Sequence, residues 1–516
     1  MTRDQLVWAQ AIFTAIAVFV WWAFDPNSWS NSILSHVIDR YLRWRYPIKS
    51  INGEPKIPTR PYKFPDGGGS TKFLDGETVS GDWEMKYGPI YRIWTGLVPE
   101  IVLTRPEDVK NVYRDSDTHF KVGSANAGWV LGSLLGDGVG LLNGDTWKRV
   151  HSVVAPPFGQ KATAYVSLVT SRVQCHFAEF EQRCVQQGLK PLPLRATEDL
   201  NSFPFWILKD IVYGELPDAM NKELSELIEL RNQIWLHTFK GGWSMFTVNK
   251  IFYPTVRRQL HEFESRWDAF NDQAYAYILE KGKTSLPIVS LRNAIDEGRV
   301  KRSEVLHSIS EGLFTNIDVT MGTFAWLVLL LAVHPDIQAE LREEIAQART
   351  TAATTPEAWD RYIASSTTLL AGCVMENGRL RPIANYTYPQ YLAVDRAVGG
   401  YVVPRGTYFI VDTNAINRRD AAWGADGDEF RPRRFMEAGG SVGEHRYRLW
   451  RFGFGPRQCL AQALADTMMK CLVVYLIEKY RVSVPKALAG GKQDWRQRRP
   501  DTWFSMAENP VLCEEI

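Results

Sequence analysis

The stretch "RFGFGPRQCLAQALADTMMKCL", residues 451–472, joins a tight turn, a cysteine and a helix. Phe452 and Gly455 belong to the turn, and the helix begins directly after Cys459. Arg457 adds a fixed positive charge beside the thiol. Backbone N–H groups, an arginine and a helix N-terminus all stabilise a thiolate, the form of cysteine that binds a metal. The segment therefore predicts an axial metal ligand, and the alternative is a buried structural cysteine beside a turn.

The same segment resembles the signature of the cytochrome P-450 family of haem-thiolate monooxygenases. That signature reads Phe, two residues, Gly, one residue, Arg, one residue, Cys, one residue, Gly. The chain matches it at Phe452, Gly455, Arg457 and Cys459, and has Ala461 in place of the last glycine. The resemblance implies haem b as the cofactor, Cys459 as the axial ligand of its iron, and a fold that is mainly α with a minor β part.

Two further motifs follow the family's order along the chain. In "ENGRLRP", residues 376–382, the spacing of three places Glu376 and Arg379 on one helical face. In "FRPRRF", residues 430–435, the resemblance implies that Arg434 joins them as the third member of a buried charge trio. Buried charges cost desolvation unless they are paired, so such a trio is expected to fix the core around the cofactor.

The segment "GDTWKRVH", residues 144–151, is similar to the helix that contacts a haem propionate in this family. Trp147 matches the usual aromatic residue, whereas His151 stands where arginine is usual. Histidine donates a hydrogen bond without a permanent charge. The family's second basic residue, expected near Pro389, is absent from "PIANYTYPQY".

The stretch "LFTNIDVTMGTFAWL", residues 313–327, reads as a mostly apolar helix with a polar insertion. The resemblance implies that it crosses the haem face opposite the cysteine. Asp318 then corresponds to the acid that relays protons, with Asn316 and Thr320 beside it, while Val319 replaces a hydroxyl residue. Alternatively, Thr315 and Thr320 simply hydrogen-bond back to the preceding turn.

Composition narrows the function classes. The 516 residues include 60 basic and 58 acidic residues and no basic tract, which excludes a nucleic-acid partner. The 6 cysteines have neither the density of a disulfide scaffold nor zinc-site spacing, and they indicate a reducing compartment.

The N-terminus carries an uncharged segment, residues 6–24, about as long as the ~20 residues that cross a bilayer. A cleaved signal peptide is the alternative, but the apolar core is long and lacks a small-residue cleavage site. Basic residues cluster between 40 and 49, whereas only Arg3 precedes the span. The positive-inside rule then predicts a single-pass protein of the endoplasmic reticulum membrane with a cytosolic catalytic domain.

The sequence therefore predicts three parts: a membrane anchor (1–30), a linker with a proline-rich hinge (31–69) and one large catalytic domain (70–516). Strands are predicted within 88–106 and 400–411, and the glycine-rich segment 121–145 is predicted to be a mobile, water-poor loop. Long helices are predicted at 107–113, 163–187, 217–237, 253–280, 302–333, 336–349 and 461–479.

The resemblance implies a monooxygenase that receives electrons from a separate NADPH-dependent flavoprotein reductase. A basic docking face is predicted from Lys148, Arg149, Arg446, Arg448 and Arg451, with ordinary solvated charge as the alternative.

The predicted substrate is lipophilic, aromatic or polycyclic, such as an indole or diketopiperazine alkaloid of fungal secondary metabolism. Two alternatives remain: oxidative coupling or ring formation without oxygen insertion, and a non-catalytic membrane-anchored haem sensor or carrier. The aromatic residues expected in the walls of the substrate cavity are Trp129, Tyr386, Tyr388, Trp503 and Phe504.

Overall fold

The structure, a computed structural model, describes residues 29–53, 56–124, 126–238, 240–437, 443, 445–489, 494–500 and 502–516. The predicted membrane anchor at residues 6–24 lies outside these residues. The described chain is mainly helical with small sheets, as predicted.

The helices of the first half are α1 Trp29–Arg45, α2 Thr71–Leu74, α3 Gly76–Tyr87, α4 Pro106–Tyr113, α5 Trp129–Leu135, α6 Gly144–Val154, α7 Val166–Gln186, α8 Ala196–Asp199, α9 Phe203–Tyr213 and α10 Asp218–Trp235. Those of the second half are α11 Pro254–Glu280, α12 Pro287–Asp296, α13 Arg302–Ala332, α14 Pro335–Thr354, α15 Glu357–Ala364, α16 Leu369–Leu380, α17 Gln462–Lys479 and α18 Lys486–Ala489.

The strands are β1 Lys49–Ser50, β2 Ile90–Thr95, β3 Val98–Leu103, β4 Phe120–Lys121, β5 Leu192–Leu194, β6 Gln390–Tyr391, β7 Arg396–Val398, β8 Tyr401–Val403, β9 Tyr408–Val411, β10 Tyr480–Ser483 and β11 Val511–Glu515. The largest sheet has the order β2-β3-β9-β6-β4, with β3 and β9 parallel and its other pairs antiparallel. Two three-stranded sheets have the orders β1-β8-β7 and β10-β11-β5.

Every long predicted helix is present, with ends shifted by a few residues. Several helices were not predicted from the sequence, among them α1, α3, α9 and α12. The α9 sequence "FPFWILKDIVY" is apolar on nearly all sides and lies in the core, so it shows no amphipathic period.

The prediction of an unstructured loop at 121–145 was wrong in part, because α5 lies inside it. Gly128 and Gly136 bound this helix, and both have positive φ (117° and 48°). Side chains rarely adopt this backbone conformation, so these glycines allow the sharp turns at both ends.

Helix α13 passes through the centre of the domain and packs against α9, α16, α17 and the short helices around it. Among the described residues it is the helix long and apolar enough to cross a membrane, but 72% of its most apolar window is buried inside the protein. This burial identifies α13 as the core helix.

The described part of the linker contacts the domain. The backbone N–H of Tyr62 and the indole N–H of Trp94 both donate to Asp39 Oδ1 of α1, at 3.0 and 3.1 Å. Arg60 N donates to Arg92 O of β2 at 2.8 Å. The boundary near residue 70 stays a prediction.

Candidate active site

A cavity of about 540 Å³ lies between α13 and the turn that carries Cys459. The chain elements around it come from distant parts of the sequence: the end of β4, the helix α6, the segment after α16, and the C-terminal segment at Phe504. The fold therefore places the predicted cysteine and the predicted polar helix on one enclosed space.

The turn before Cys459 depends on two glycines with left-handed backbone angles. Gly453 has φ 86° and Gly455 has φ 70°, and a Cβ on Gly455 would lie 2.2 Å from Ser116 Oγ. The Cys459 N–H donates to Phe452 O at 2.8 Å and closes the turn. Ala461 has φ −93°, a conformation open to any residue, which explains why alanine is accommodated there.

Cys459 lines the cavity and is exposed to that space. Burial raises the pKa of this thiol, opposed by a hydrogen bond from the Ala461 backbone and by the charge of Lys121. Arg457 is directed elsewhere: its Nη2 donates to Leu142 O at 2.7 Å, and its guanidinium lies 4.7 Å from the Trp147 ring centroid. The arginine thus belongs to the end of the cavity at α6.

Three basic side chains line that end of the cavity. Burial lowers the pKa of Lys121 to about 8 and that of Arg457 to about 10, with the Arg457 charge adding to the Lys121 shift. Burial and the Arg457 charge also lower the pKa of His151, whose ring lies 4.8 Å from that of Trp147. Lys121 forms no ion pair with a described residue, and the anion whose charge acts on both Lys121 and Arg457 is Glu311 of α13.

This arrangement fits haem b, because the two propionate carboxylates of that cofactor would neutralise Lys121 and Arg457 while its iron meets the Cys459 thiol. Lys121 is the second basic group that was missing near Pro389. The sequence signal was weak, since a single lysine at the end of β4 matches no motif.

Helix α13 contributes Thr315, Asn316, Val319 and Thr320 to the cavity wall. Thr320 Oγ1 donates to Asn316 Oδ1 at 2.5 Å, and Thr315 Oγ1 is buried without a partner among the described residues. The alternative that both threonines bond back to the preceding turn holds for Thr320, whose partner Asn316 lies one turn earlier, and is wrong for Thr315. Thr323 also bonds back, to Val319 O at 2.8 Å.

Asp318 lies on a different face of α13 and does not line the cavity. Burial raises the pKa of its carboxyl, opposed by the charges of Arg231 and Arg499. A proton passing from Asp318 to the cavity must therefore be carried around the helix by water or by the Asn316–Thr320 pair.

The charge trio is assembled under the cavity. Arg379 binds Glu376 through two hydrogen bonds of 2.8 and 2.7 Å, and Arg434 Nε donates to Glu376 Oε1 at 3.0 Å. Arg379 and Glu376 are fully buried, and Arg379 also donates to the carbonyls of Asn417 and Gly427. The trio thus connects α16 to the loop that leads to Cys459.

Of the aromatic residues predicted for the cavity wall, Tyr388 and Phe504 line it. Tyr386 packs against Trp83 under the large sheet, Trp129 packs against Tyr253, and Trp503 lies behind Phe504 at a ring distance of 6.0 Å. Aliphatic side chains also line the cavity, among them Ile309 and Ile383.

The predicted basic docking face is largely neutralised. Arg149 pairs with Glu304 at 2.8 Å, Arg448 with Asp420 at 2.8 Å, and Arg451 with Asp466 at 2.5 Å. Lys148 and Arg446 remain exposed. Glu311 of α13, a carboxylate on the cavity wall, was not predicted either.

The fold and the cysteine-bearing cavity define a haem-thiolate protein. A solved zebra fish cytochrome P450, described with progesterone, aligns over 84% of this chain and 98% of its own with a TM-score of 0.65 and 19% identity. At that identity the likeness concerns the fold.

Sequence comparison gives closer relatives. The chain is 40% identical to the cytochrome P450 monooxygenase roqR of Penicillium rubens over 100% of both chains. It is 38% identical to the cytochrome P450 monooxygenase aclC of Aspergillus oryzae over 92% of this chain and 95% of that protein. The cytochrome P450 family model matches residues 80–496, and the chain belongs to the cytochrome P450 family as a haem monooxygenase.

Proposed function

We propose that this enzyme is a membrane-bound monooxygenase that oxidises a lipophilic, nitrogen-containing aromatic compound in fungal secondary metabolism. The observation that carries the proposal is the cavity, which the Cys459 thiol faces opposite Asn316 and Thr320 of α13. An indole or diketopiperazine alkaloid is the proposed substrate. The aromatic walls Tyr388 and Phe504 support this class, as does the fungal origin of the related monooxygenases.

The bound haem supplies the activation of dioxygen. The chain's own residues position and protect this chemistry: Cys459 would hold the iron, and Lys121 and Arg457 would hold the propionates. Aliphatic side chains such as Ile309 and Ile383 exclude water above the cofactor. Thr320 and Asn316 hold a hydrogen-bonded proton on the cavity wall, and Asp318 is the proposed source of protons from outside.

A second candidate reaction is oxidative coupling or ring formation without oxygen insertion. Val319 favours it, because it presents two methyl groups to the cavity where the family's helix usually carries a hydroxyl. Product mass after turnover under ¹⁸O₂ separates the two reactions. A product that contains one labelled oxygen supports monooxygenation, and an unlabelled, dehydrogenated or coupled product supports the second candidate.

The proposed location is the endoplasmic reticulum membrane, with the catalytic domain in the cytosol. Helix α1 exposes Ile33, Val37 and Trp44 along one side, with exposed fractions of 51%, 57% and 75%. The segment after α10 exposes Ile251 and Phe252 at 69% and 74%. Phe64 joins the two regions, because it contacts Trp243 of that segment at 5.4 Å and donates its N–H to Ser35 of α1 at 2.9 Å.

Exposed apolar side chains on both segments suit the membrane interface. Electrons are proposed to arrive from a separate NADPH-dependent flavoprotein reductase. Lys148 and Arg446 are the exposed cations proposed for its docking: the other predicted basic residues have close ion pairs, whereas Lys148 meets the fully exposed Asp145 at 3.7 Å.

The carbon monoxide difference spectrum of the reduced enzyme tests the function. Cys459→Ser is expected to abolish the thiolate-type absorption band, while Cys175→Ser, an exposed cysteine on α7, is the matched control and keeps it. An unchanged band in Cys459→Ser would refute the proposal.

A further inference from the structure

Glu311 is a carboxylate on the cavity wall, one turn before Thr315 on α13. Its Oε2 accepts a hydrogen bond from the backbone N–H of Gly140 at 3.0 Å. Its Oε1 accepts no hydrogen bond from a described residue. One oxygen is thus fixed by the protein, and the other is left for a group inside the cavity.

The loop after α5 is shaped around this carboxylate. A Cβ on Gly140 would lie 1.9 Å from Glu311 Oε1, and a Cβ on Gly138 would lie 2.5 Å from Oε2. The same loop is held to α13 by two other bonds: Val139 N–H to Ser308 Oγ at 3.0 Å and Asp137 N–H to His307 Nδ1 at 2.8 Å. Since the loop is already attached twice, a buried charge is not needed for attachment alone.

Three cations lie near Glu311, and none forms an ion pair with it among the described residues. Lys121 and Arg457 line the end of the cavity that fits the haem propionates, so haem occupies their charges. Arg231 lies over the Phe314 ring, 5.3 Å from its centroid, and its charge acts on both Asp318 and Glu311. If haem takes up the charges of Lys121 and Arg457, Arg231 is the remaining one of these cations near Glu311, and its charge is shared with Asp318. Burial raises the pKa of the Glu311 carboxyl, opposed by the Gly140 N–H and by these cations.

Burial of an unpaired carboxylate is unfavourable, and a donor from a bound molecule relieves it. We propose that Glu311 is the specificity-determining acceptor for an N–H group of the substrate, either an amide or indole N–H or a protonated amine. This proposal rests on the proposed function and narrows its substrate class to molecules with an N–H donor. The aliphatic and aromatic remainder of the wall binds the rest of such a molecule.

The experiment compares two ligands on holoenzyme with an intact carbon monoxide spectrum. One probe is the cyclic dipeptide of tryptophan and phenylalanine. The other is its analogue methylated at every nitrogen, which has the same ring framework but no N–H donor. Dissociation constants are measured by equilibrium dialysis for the wild type, Glu311→Gln and Ser308→Ala. Glutamine keeps an acceptor for Gly140 and removes the charge, and Ser308→Ala removes a neighbouring loop contact without changing charge.

Glu311→Gln is expected to weaken binding of the parent dipeptide by about tenfold, because hydrogen bonds to ionised acceptors are about twice as strong as neutral ones. The methylated analogue is expected to bind the wild type and Glu311→Gln with equal affinity. Ser308→Ala is expected to change the affinities for the parent dipeptide and for the methylated analogue by the same factor.

Equal weakening of both ligands by Glu311→Gln would overturn the proposal and leave Glu311 as a loop attachment. Unchanged binding of the parent in that variant would overturn it as well. Binding of neither ligand to the wild type would overturn the substrate class, while the intact spectrum would leave the haem-thiolate function standing.

Discussion

Thr320 and Asn316 form a hydrogen-bonded pair one helical turn apart, with the Thr320 hydroxyl donating to the Asn316 amide oxygen at 2.5 Å. Both residues line the cavity. The pair therefore offers a hydroxyl and an amide N–H to the cavity as one unit, whereas Asp318 points to the other side of the helix.

Thr320→Val is expected to raise by a few fold the share of NADPH electrons that end as hydrogen peroxide, because the hydroxyl that holds a proton on the cavity wall is removed. Haem binding should persist. The measurement is peroxide formed per NADPH consumed. Thr323→Val is the matched control, since the Thr323 hydroxyl is already committed to Val319 O; an equal rise in both variants would contradict the assignment.

Val319→Thr replaces one methyl group on the cavity wall with a hydroxyl group of nearly the same volume. We expect unchanged haem content and a few-fold change in either coupling efficiency or product ratio, measured by product analysis against NADPH consumed. Val319→Ala controls for altered shape. If neither the coupling efficiency nor the product ratio changes in Val319→Thr, the helix does not need a hydroxyl at this position. In that case Val319 does not support oxidative coupling over monooxygenation.

Arg434→Ala is expected to destabilise the fold by about 3–5 kcal/mol, because it leaves part of the buried Glu376 charge unpaired. The adjacent Arg433 pairs with Glu340 at 2.6 Å through side chains that are 55% and 41% exposed. Arg433→Ala should therefore cost less than about 1 kcal/mol. Urea unfolding followed by tryptophan fluorescence measures both, and similar costs would show that the trio does not behave as a buried network.

Much of the architecture followed from the sequence because it is carried by local patterns. The long helices have amphipathic periods or strong ends, and the Cys459 turn depends on glycines that no other residue replaces easily. Helix α9 was not predicted because it is apolar on nearly every side. Helix α5 was not predicted because the glycines that flank it are typical of a loop.

The site was predictable where a motif fixes the spacing, as in Glu376, Arg379 and Cys459. Lys121 and Glu311 were not, because their significance comes from the cavity they share and not from their neighbours in sequence. The sequence also did not predict which side chains of α13 face the cavity: Asp318 and Thr320 are two residues apart, yet they lie on different faces of the helix.

The charge of Lys121 should make haem retention depend on pH. Burial and Arg457 lower the pKa of Lys121 in the haem-free protein to about 8, from an ordinary value of 10.5. A propionate carboxylate beside the ammonium raises that pKa again. Above pH 8 haem binding therefore takes up a proton at Lys121, which lowers the affinity as the pH rises; below pH 8 this group is protonated in both states and adds no dependence. The Cys459 thiol, whose pKa is raised by burial, would lose its proton on binding the iron and so raise the affinity with pH; the Lys121 contribution is therefore the difference between the wild type and Lys121→Met.

Haem transfer to excess apomyoglobin, followed from pH 7 to 9.5, measures this linkage. Above pH 8 the wild-type haem affinity is expected to rise less steeply with pH than that of Lys121→Met, by up to about tenfold per pH unit. In Lys121→Met the affinity should be lower at pH 7 and only the contribution of Cys459 should remain, because no proton is exchanged at position 121. Lys148→Met, which alters a largely exposed lysine on α6, should keep the wild-type profile. Identical slopes in wild type and Lys121→Met would contradict the assignment of Lys121 as a propionate partner.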